Sequence, residues 1–381
     1  MSEAVTTPAA RRAETHLPAL RQHAAEHEQR GLVGADLLGT LRDDGLLTLV
    51  TPSHFGGGET SFSEVFDVTR ILAQGCMSTS WIATVGNVHN WIASAFSETA
   101  QGHYFTDPGV YSSASFAPTG TARMREDGLV AEGTWGFLSG VDHAQWVFLN
   151  ALVKDPIDGK PAGPWFLMVP RKDVTVLEDS WQVTGLAGTG SKSVRLDDVF
   201  VPFDHARFLP ALMTDEYEPL HDGALFRAPF HAALIAVLAA PIVGAGQAMV
   251  TQYLDYTRSR IVKMTGARQS EQIPTQVTLA EADARVTAAE TLLRAVFQRI
   301  DADEPLSPIE RAQIPRDVAY AARLVNDAAN TIMRNAGGSA AQLSNPLQRY
   351  WRDIQTACNH AALNWATSAQ AWGAAALSEG A

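Results

Sequence analysis

Residues 133–140 read GTWGFLSG, and the aromatic, hydroxyl and glycine content of this short run is a candidate ligand contact. Aromatic faces beside a hydroxyl and unencumbered backbone amides suit a flat, partly polar ring system. Two further strings carry histidines, whose titration near neutrality fits them for proton transfer. They are STSWIATVGNVHNW (78–91), with His89, and CNH (358–360), with His360. Three other strings mimic known motifs and fail on inspection. HAAEH (23–27) has metalloprotease spacing, but it sits on a hydrophilic helix with no identifiable third ligand downstream. GLAGTGSKS (185–193) nearly spells a phosphate loop, yet Ser191 stands where the lysine must follow Gly190 directly. GAGQAM (244–249) holds only part of a dinucleotide glycine pattern and lies inside a helical run, where it reads as a packing feature. No nucleophile elbow is present.

Composition narrows the classes. The 381 residues are 46% hydrophobic and 18% charged, which describes an ordinary globular chain of two or three compact units. A formal charge of −12 argues against a nucleic-acid surface and against a polybasic membrane patch. Two distant cysteines, Cys76 and Cys358, give no disulfide framework and fit a reducing cytoplasm. The polar N-terminus lacks the apolar core of a signal peptide. The apolar stretch 228–250 is interrupted by His231, Pro241 and two glycines, so it reads as a buried helix rather than a span.

Three zones must position these residues. Residues 1–108 show helical periodicity, with SFSE (61–64) as a capping box before Phe62, Val65, Phe66, Thr69 and Leu72. Residues 109–210 switch to short β-branched and aromatic runs: VYSSASF, LVAEGTW, QWVFLNALV, PWFLMVP, VTVLED, WQVTG and SVRLDDVFVP. With DPIDGKPAG (155–163) as a turn, they predict a compact antiparallel β unit. Residues 211–381 return to long helices. TLAE (278–281) reads as one helix start, Pro315 as the next, Gly337-Gly338 as its end, and a last helix follows Pro346. Four antiparallel helices of this kind predict a bundle.

In this order, LRDDGLLTLVTPSHFGGG, STSWIATVGNVHNW, AEGTWGFLSGVDHAQW, WQVTGLAGTGSKSVRLDDVFVP and NPLQRYWRDIQTACNH resemble the acyl-CoA dehydrogenase fold over nearly the whole chain. The closer likeness is to flavin-dependent monooxygenases on that fold, the oxygenase components of two-component (group D type) systems. The resemblance implies a mainly α protein with a central β domain: an N-terminal helical domain, a middle β-barrel and a C-terminal four-helix bundle. It implies reduced FMN or FAD, supplied through diffusive transfer by a separate reductase, because no NAD(P)H-binding motif is present. It further implies a flavin C4a-(hydro)peroxide, dioxygen and an aromatic or polycyclic substrate hydroxylated at carbon, in a cytoplasmic homotetramer or homodimer.

The resemblance also assigns residues. Ser139 contacts the flavin near N5, with Trp135 and Phe137 against the ring; the alternative for both aromatics is filler at a domain junction. His360 stands close to where dehydrogenases carry their glutamate base, after Arg352-Asp353, and would stabilise the peroxide with Ser139. His89 faces the substrate as a base. Trp81, Trp91 and Phe96 line an aromatic cavity or are core residues of an amphipathic helix. Arg260 in YTRSR reaches a neighbouring subunit's flavin phosphate, Gly338 and Ser339 approach the flavin, and Ser113 and Ser115 supply polar contacts from the β unit. Rival readings on the same scaffold are N-oxygenation of an amine or amino sugar, an acyl-CoA dehydrogenase, disfavoured by the missing glutamate, and a scaffold without catalysis.

Overall fold

The computed structural model describes residues 7–155, 161–261 and 266–378. Five helices come first: α1 (Pro8–Arg30), α2 (Ala35–Asp43), α3 (Phe62–Ala73), α4 (Met77–Ala93) and α5 (Glu98–Tyr104). Ser61 caps α3 by accepting from the Glu64 N–H, as the SFSE spacing predicts. Helix α4 contains no Lys, Arg, Asp or Glu, and every residue of it is buried. A helix without a charged face belongs inside, and this one runs through the middle of the main core.

Seven strands follow: β1 (Ser112–Met124), β2 (Gly128–Leu138), β3 (Trp146–Val153), β4 (Gly163–Pro170), β5 (Thr175–Leu177), β6 (Lys192–Pro202) and β7 (Ala206–Phe208). They form one sheet in the order β5-β6-β2-β1-β3-β4-β7. The expected all-antiparallel unit is corrected at one point: β1 and β3 pair in parallel. Gly140, at φ +70°, and the turn Val141–His143 carry the chain from β2 across β1 to its other edge, instead of closing a hairpin. WQVTG is not a strand, because Trp181 instead donates from Nε1 to the Ala187 carbonyl at 3.1 Å, in the turn beyond it. Residues 156–160 of DPIDGKPAG lie outside the described residues. The sheet has a core of its own, centred on Leu129, Trp135, Val147, Leu149 and Val194.

The C-terminal helices are α6 (Leu209–Met213), α7 (Phe230–Ala236), α8 (Ala239–Arg258), α9 (Ile273–Ile300), α10 (Pro308–Ala336), α11 (Pro346–Cys358) and α12 (Trp365–Ser378). Two predicted starts move. Helix α9 begins at Ile273-Pro274, so TLAE lies inside it. Helix α10 begins at Pro308 under a reciprocal Ser307–Glu310 capping box, and Pro315 is internal. Gly337, at φ +76°, ends α10 as expected. The apolar stretch that spans α7 and α8 is mostly buried, as a core helix pair is. Its glycines are packing residues: a Cβ on Gly244 would lie 2.0 Å from the Arg70 carbonyl oxygen of α3.

Candidate active site

The end of β2, the start of β1 and the N-terminal half of α4 meet at Ser139. Its Oγ accepts from Trp81 Nε1 of α4 at 3.2 Å and touches Ser191 Oγ at 2.8 Å. Ser191 Oγ in turn touches Thr189 Oγ1 at 2.7 Å, and Thr189 Oγ1 donates to the Leu186 carbonyl at 2.7 Å. The Ser139 carbonyl accepts from Ser113 Oγ at 2.7 Å and from Tyr111 OH at 3.2 Å. Sequence reasoning missed Thr189, Ser191 and Tyr111. The signal was present in GLAGTGSKS, whose hydroxyls were weighed only as a phosphate loop.

Two neighbouring aromatics that the sequence treats alike have opposite fates. Trp135 is completely buried in the sheet core, donates from Nε1 to the Asn150 carbonyl at 2.6 Å, and lies where a Cβ on Gly120 would clash. Its ring is covered by protein on both faces, and its expected role against the flavin is corrected to that of a core residue; the ladder with β6 shifts register after Trp135, so Phe137 does not follow it inward. Phe137 is 75% exposed at φ +65°, a left-handed conformation that is strained for a bulky residue. Its ring meets Trp181 edge-on, with centroids 6.1 Å apart.

The two histidines carry their protons on opposite nitrogens. His89, on α4 and almost fully buried, approaches the Ser112 carbonyl with Nδ1 at 2.8 Å. A carbonyl only accepts, so Nδ1 bears the hydrogen and Nε2 is left with a lone pair that has no hydrogen-bond partner among the described residues. Burial lowers its pKa from the ordinary 6.5 to about 4, so it is a neutral base at pH 7. His360 does the reverse: its Nδ1 accepts from the Ala362 N–H at 3.2 Å, which places the hydrogen on Nε2. The residue is exposed, yet desolvation by the surrounding protein lowers its pKa. One histidine offers a lone pair and the other an N–H.

Trp81 joins these groups. Its ring lies 6.1 Å from that of His360, and its indole N–H holds Ser139. His89 sits eight residues further along α4, about 12 Å by helical rise. Consecutive residues of β1 bridge the gap, since Ser112 takes His89 while Ser113 takes Ser139. Trp91 and Phe96 are core residues: Trp91 donates to the Leu225 carbonyl at 2.9 Å and stacks on Phe230, and Phe96 is sealed behind Phe148. Both pack as core residues in place of the expected substrate lining, and position 91 falls on a different side of α4 from position 89. Phe148, 6.1 Å from His89, is the aromatic that borders it. Ser115 is buried in the ladder opposite Leu149.

A second group forms at the end of α10. Arg260 donates to Tyr256 OH and to the Ala336 carbonyl and lies over Gly337, beside Gly338 and Ser339. Ser339, Gln252, Tyr256 and Asn345 line a cavity of about 380 Å³ there. No hydrogen bond among the described residues joins this group to the Ser139 cluster.

Comparison with known proteins gives the family. Residues 3–107 match the acyl-CoA dehydrogenase N-terminal domain, and residues 236–365 match the acyl-CoA dehydrogenase C-terminal domain. A "FADH(2)-dependent resorcinol hydroxylase, oxygenase component" from Rhizobium sp. is 32% identical, covering 91% of this chain and 88% of its own. A "pigment production hydroxylase" from Rhodococcus sp. is 31% identical over 94% and 93%. The crystal structure of 3-HSA hydroxylase from Rhodococcus sp. RHA1 superposes with a TM-score of 0.91 at 28% identity, covering 98% and 97%. The chain belongs to the flavin-dependent monooxygenase oxygenase components built on the acyl-CoA dehydrogenase fold. It is an oxidoreductase.

Proposed function

We propose that this enzyme takes reduced FMN or FAD from a separate flavin reductase and uses dioxygen to hydroxylate an aromatic small molecule. The observation that carries this reading is Phe137, exposed and strained two residues from Ser139. Trp81, which holds Ser139, shares α4 with His89, and its ring lies 6.1 Å from that of His360, the two histidines having opposite proton polarity. The residues fit a flavin: an aromatic face, a buried hydroxyl and, in the second group, an arginine suited to phosphate. When bound, reduced flavin supplies the electrons that activate dioxygen.

The protein's part is positioning and proton control. Phe137 offers the ring face, and Ser139 fixes the polar edge. His360 keeps a hydrogen at Nε2 that donates toward oxygen without a net charge in the site. His89 accepts the hydroxyl proton of a phenolic substrate at Nε2, while Ser112 holds its ring. The missing carboxylate matters here, because an uncharged, crowded pocket limits loss of activated oxygen to water.

The test is an anaerobic titration with reduced flavin, followed by mixing with ¹⁸O₂ and a panel of phenols. One ¹⁸O atom in a hydroxylated product supports the reading; no flavin binding in either redox state sinks it.

Assembly completes the proposal. Ile261, Ile273, Val277 and Leu343 are exposed near the second group, and α12 is an apolar helix with little buried surface. We place the enzyme in the cytoplasm as a homotetramer or homodimer, with Arg260 serving the flavin of an adjoining subunit. Arg260→Ala is then expected to weaken flavin binding roughly ten- to hundredfold, the scale of a lost charge-assisted hydrogen bond. Fluorescence titration of the folded variant checks this, and an unchanged affinity removes Arg260 from the site.

A further inference from the structure

The hydroxyl chain behind Ser139 can be read hydrogen by hydrogen. A carbonyl oxygen has no hydrogen to give, so the contact between Thr189 Oγ1 and the Leu186 carbonyl commits the single hydroxyl hydrogen of Thr189. In the next contact, 2.7 Å long, Thr189 Oγ1 therefore accepts and Ser191 donates. The hydrogen of Ser191 is now committed as well, so across the following 2.8 Å contact Ser139 donates to Ser191. Finally, Trp81 Nε1, which can only donate, gives its hydrogen to Ser139 Oγ. Each assignment forces the next. Ser139 Oγ ends with its own hydrogen turned inward and one lone pair left over.

The anchor of this chain is rigid. Leu186 sits at φ +55°, and its N–H donates to Asp353 Oδ1 at 2.6 Å, within the core. A Cβ on Gly185 would lie 2.1 Å from the Arg352 carbonyl oxygen, so the loop is pressed onto α11 backbone to backbone. The Thr189 N–H also donates to the Leu186 carbonyl at 3.0 Å, and the Thr189 carbonyl accepts from the Gly140 N–H at 2.8 Å. The Leu186 carbonyl cannot swing away without breaking several buried hydrogen bonds.

We propose that Leu186, Thr189 and Ser191 form a polarity lock that makes Ser139 an obligate acceptor, and that this lock selects the reduced over the oxidised flavin. The inference rests on the flavin reading above. The chemistry is simple: N5 of a reduced flavin carries a hydrogen and donates, whereas N5 of an oxidised flavin carries a lone pair and accepts. An acceptor at Ser139 pairs with the first and opposes the second. Such a lock admits flavin arriving reduced and disfavours retention of spent, oxidised flavin. Asp353 is a positioning residue within it, acting through the Leu186 peptide.

The experiment is measurement of dissociation constants for oxidised and dithionite-reduced flavin under nitrogen, for the full chain and two variants. Wild type is expected to bind the reduced form more tightly. In Ser191→Ala the Ser139 hydroxyl loses its inward acceptor and turns toward the ligand. The ratio of oxidised to reduced dissociation constants is then expected to fall about tenfold, chiefly through tighter binding of the oxidised form, the scale of pairing a previously opposed acceptor. Thr189→Val keeps the side-chain shape while freeing Ser191, and should move the ratio the same way; it carries the test should Ser191→Ala not fold. A ratio unchanged within twofold in a folded variant overturns the lock, as does a wild type without redox preference. Failure of wild type to bind flavin in either state defeats the flavin reading instead, so the two are distinguishable.

Discussion

His89→Ala is expected to slow hydroxylation of a phenolic substrate by about 10²–10⁴-fold, the range for losing a positioned general base. The wild-type Nε2 is a neutral, unpaired acceptor because Ser112 holds the hydrogen on Nδ1. His89→Ala is expected to keep reduced-flavin affinity and the rate of oxygen consumption while releasing most of that oxygen as hydrogen peroxide. His360→Ala differs in a readable way, since without substrate its peroxide release should be much faster than wild type's, whereas that of His89→Ala should keep the wild-type rate. Rapid mixing followed by separate quantitation of product and peroxide distinguishes the two. Faster peroxide release without substrate from His89→Ala, together with a wild-type rate from His360→Ala, would invert the assignment. The pH dependence follows from burial. With a pKa of about 4, His89 stays a base from pH 8 down to pH 5, and product formation limited by it should decline only as pH falls toward 4. Stability has the same sign. The unfolded chain takes up a proton near the ordinary 6.5 that the folded chain refuses until about 4, so this group makes the fold less stable as pH falls between those values. Above 6.5 it has no effect. Denaturant midpoints of wild type and His89→Gln between pH 4 and 8 measure the difference.

The second large effect separates two aromatics two residues apart. Trp135→Ala removes a completely buried indole from the sheet core together with its hydrogen bond to Asn150, and is expected to cost about 3–5 kcal/mol. Phe137→Gly removes an exposed ring and relieves a left-handed backbone, whose strain is on the order of 1–3 kcal/mol. Its thermal stability should hold or rise while its affinity for flavin falls. Melting temperature and flavin titration on the same samples decide this. A Phe137→Gly variant that melts well below wild type would falsify the view that position 137 is strained for binding rather than for folding.

Much of this was readable before any coordinates. The caps at Ser61 and Gly337, the packing glycines of GAGQAM and the change from helical to β periodicity are local signals, and the fold bears them out. Trp135 and Phe137 could not be separated, because alternation puts residues two apart on one face; the register shift between Trp135 and Leu138 and the left-handed backbone at Phe137 break that rule, and no run of residues announces them. The parallel pairing of β1 with β3 escaped for the same reason, as it depends on where a chain crosses rather than on any run of residues. SPIE at 307–310 was an unread capping box, while TLAE fitted the pattern inside a helix already begun five residues earlier. Thr189 and Ser191 escaped because a motif was tested as a whole and discarded as a whole. Histidine tautomers are beyond sequence altogether, since they follow from which backbone group lies opposite.

Helix α4 has every side chain in the interior, and it carries both Trp81 and His89. A helix of that kind has no silent positions. Any change along it alters packing against the sheet or the bundle before it alters a ligand, so divergence in substrate choice has to be written elsewhere in the chain. Libraries aimed at new substrates should therefore leave residues 77–93 untouched. Variation placed in the connecting segment 214–229, whose residues are largely exposed or half-buried, is expected to yield a far higher fraction of folded, flavin-binding variants than the same variation in α4.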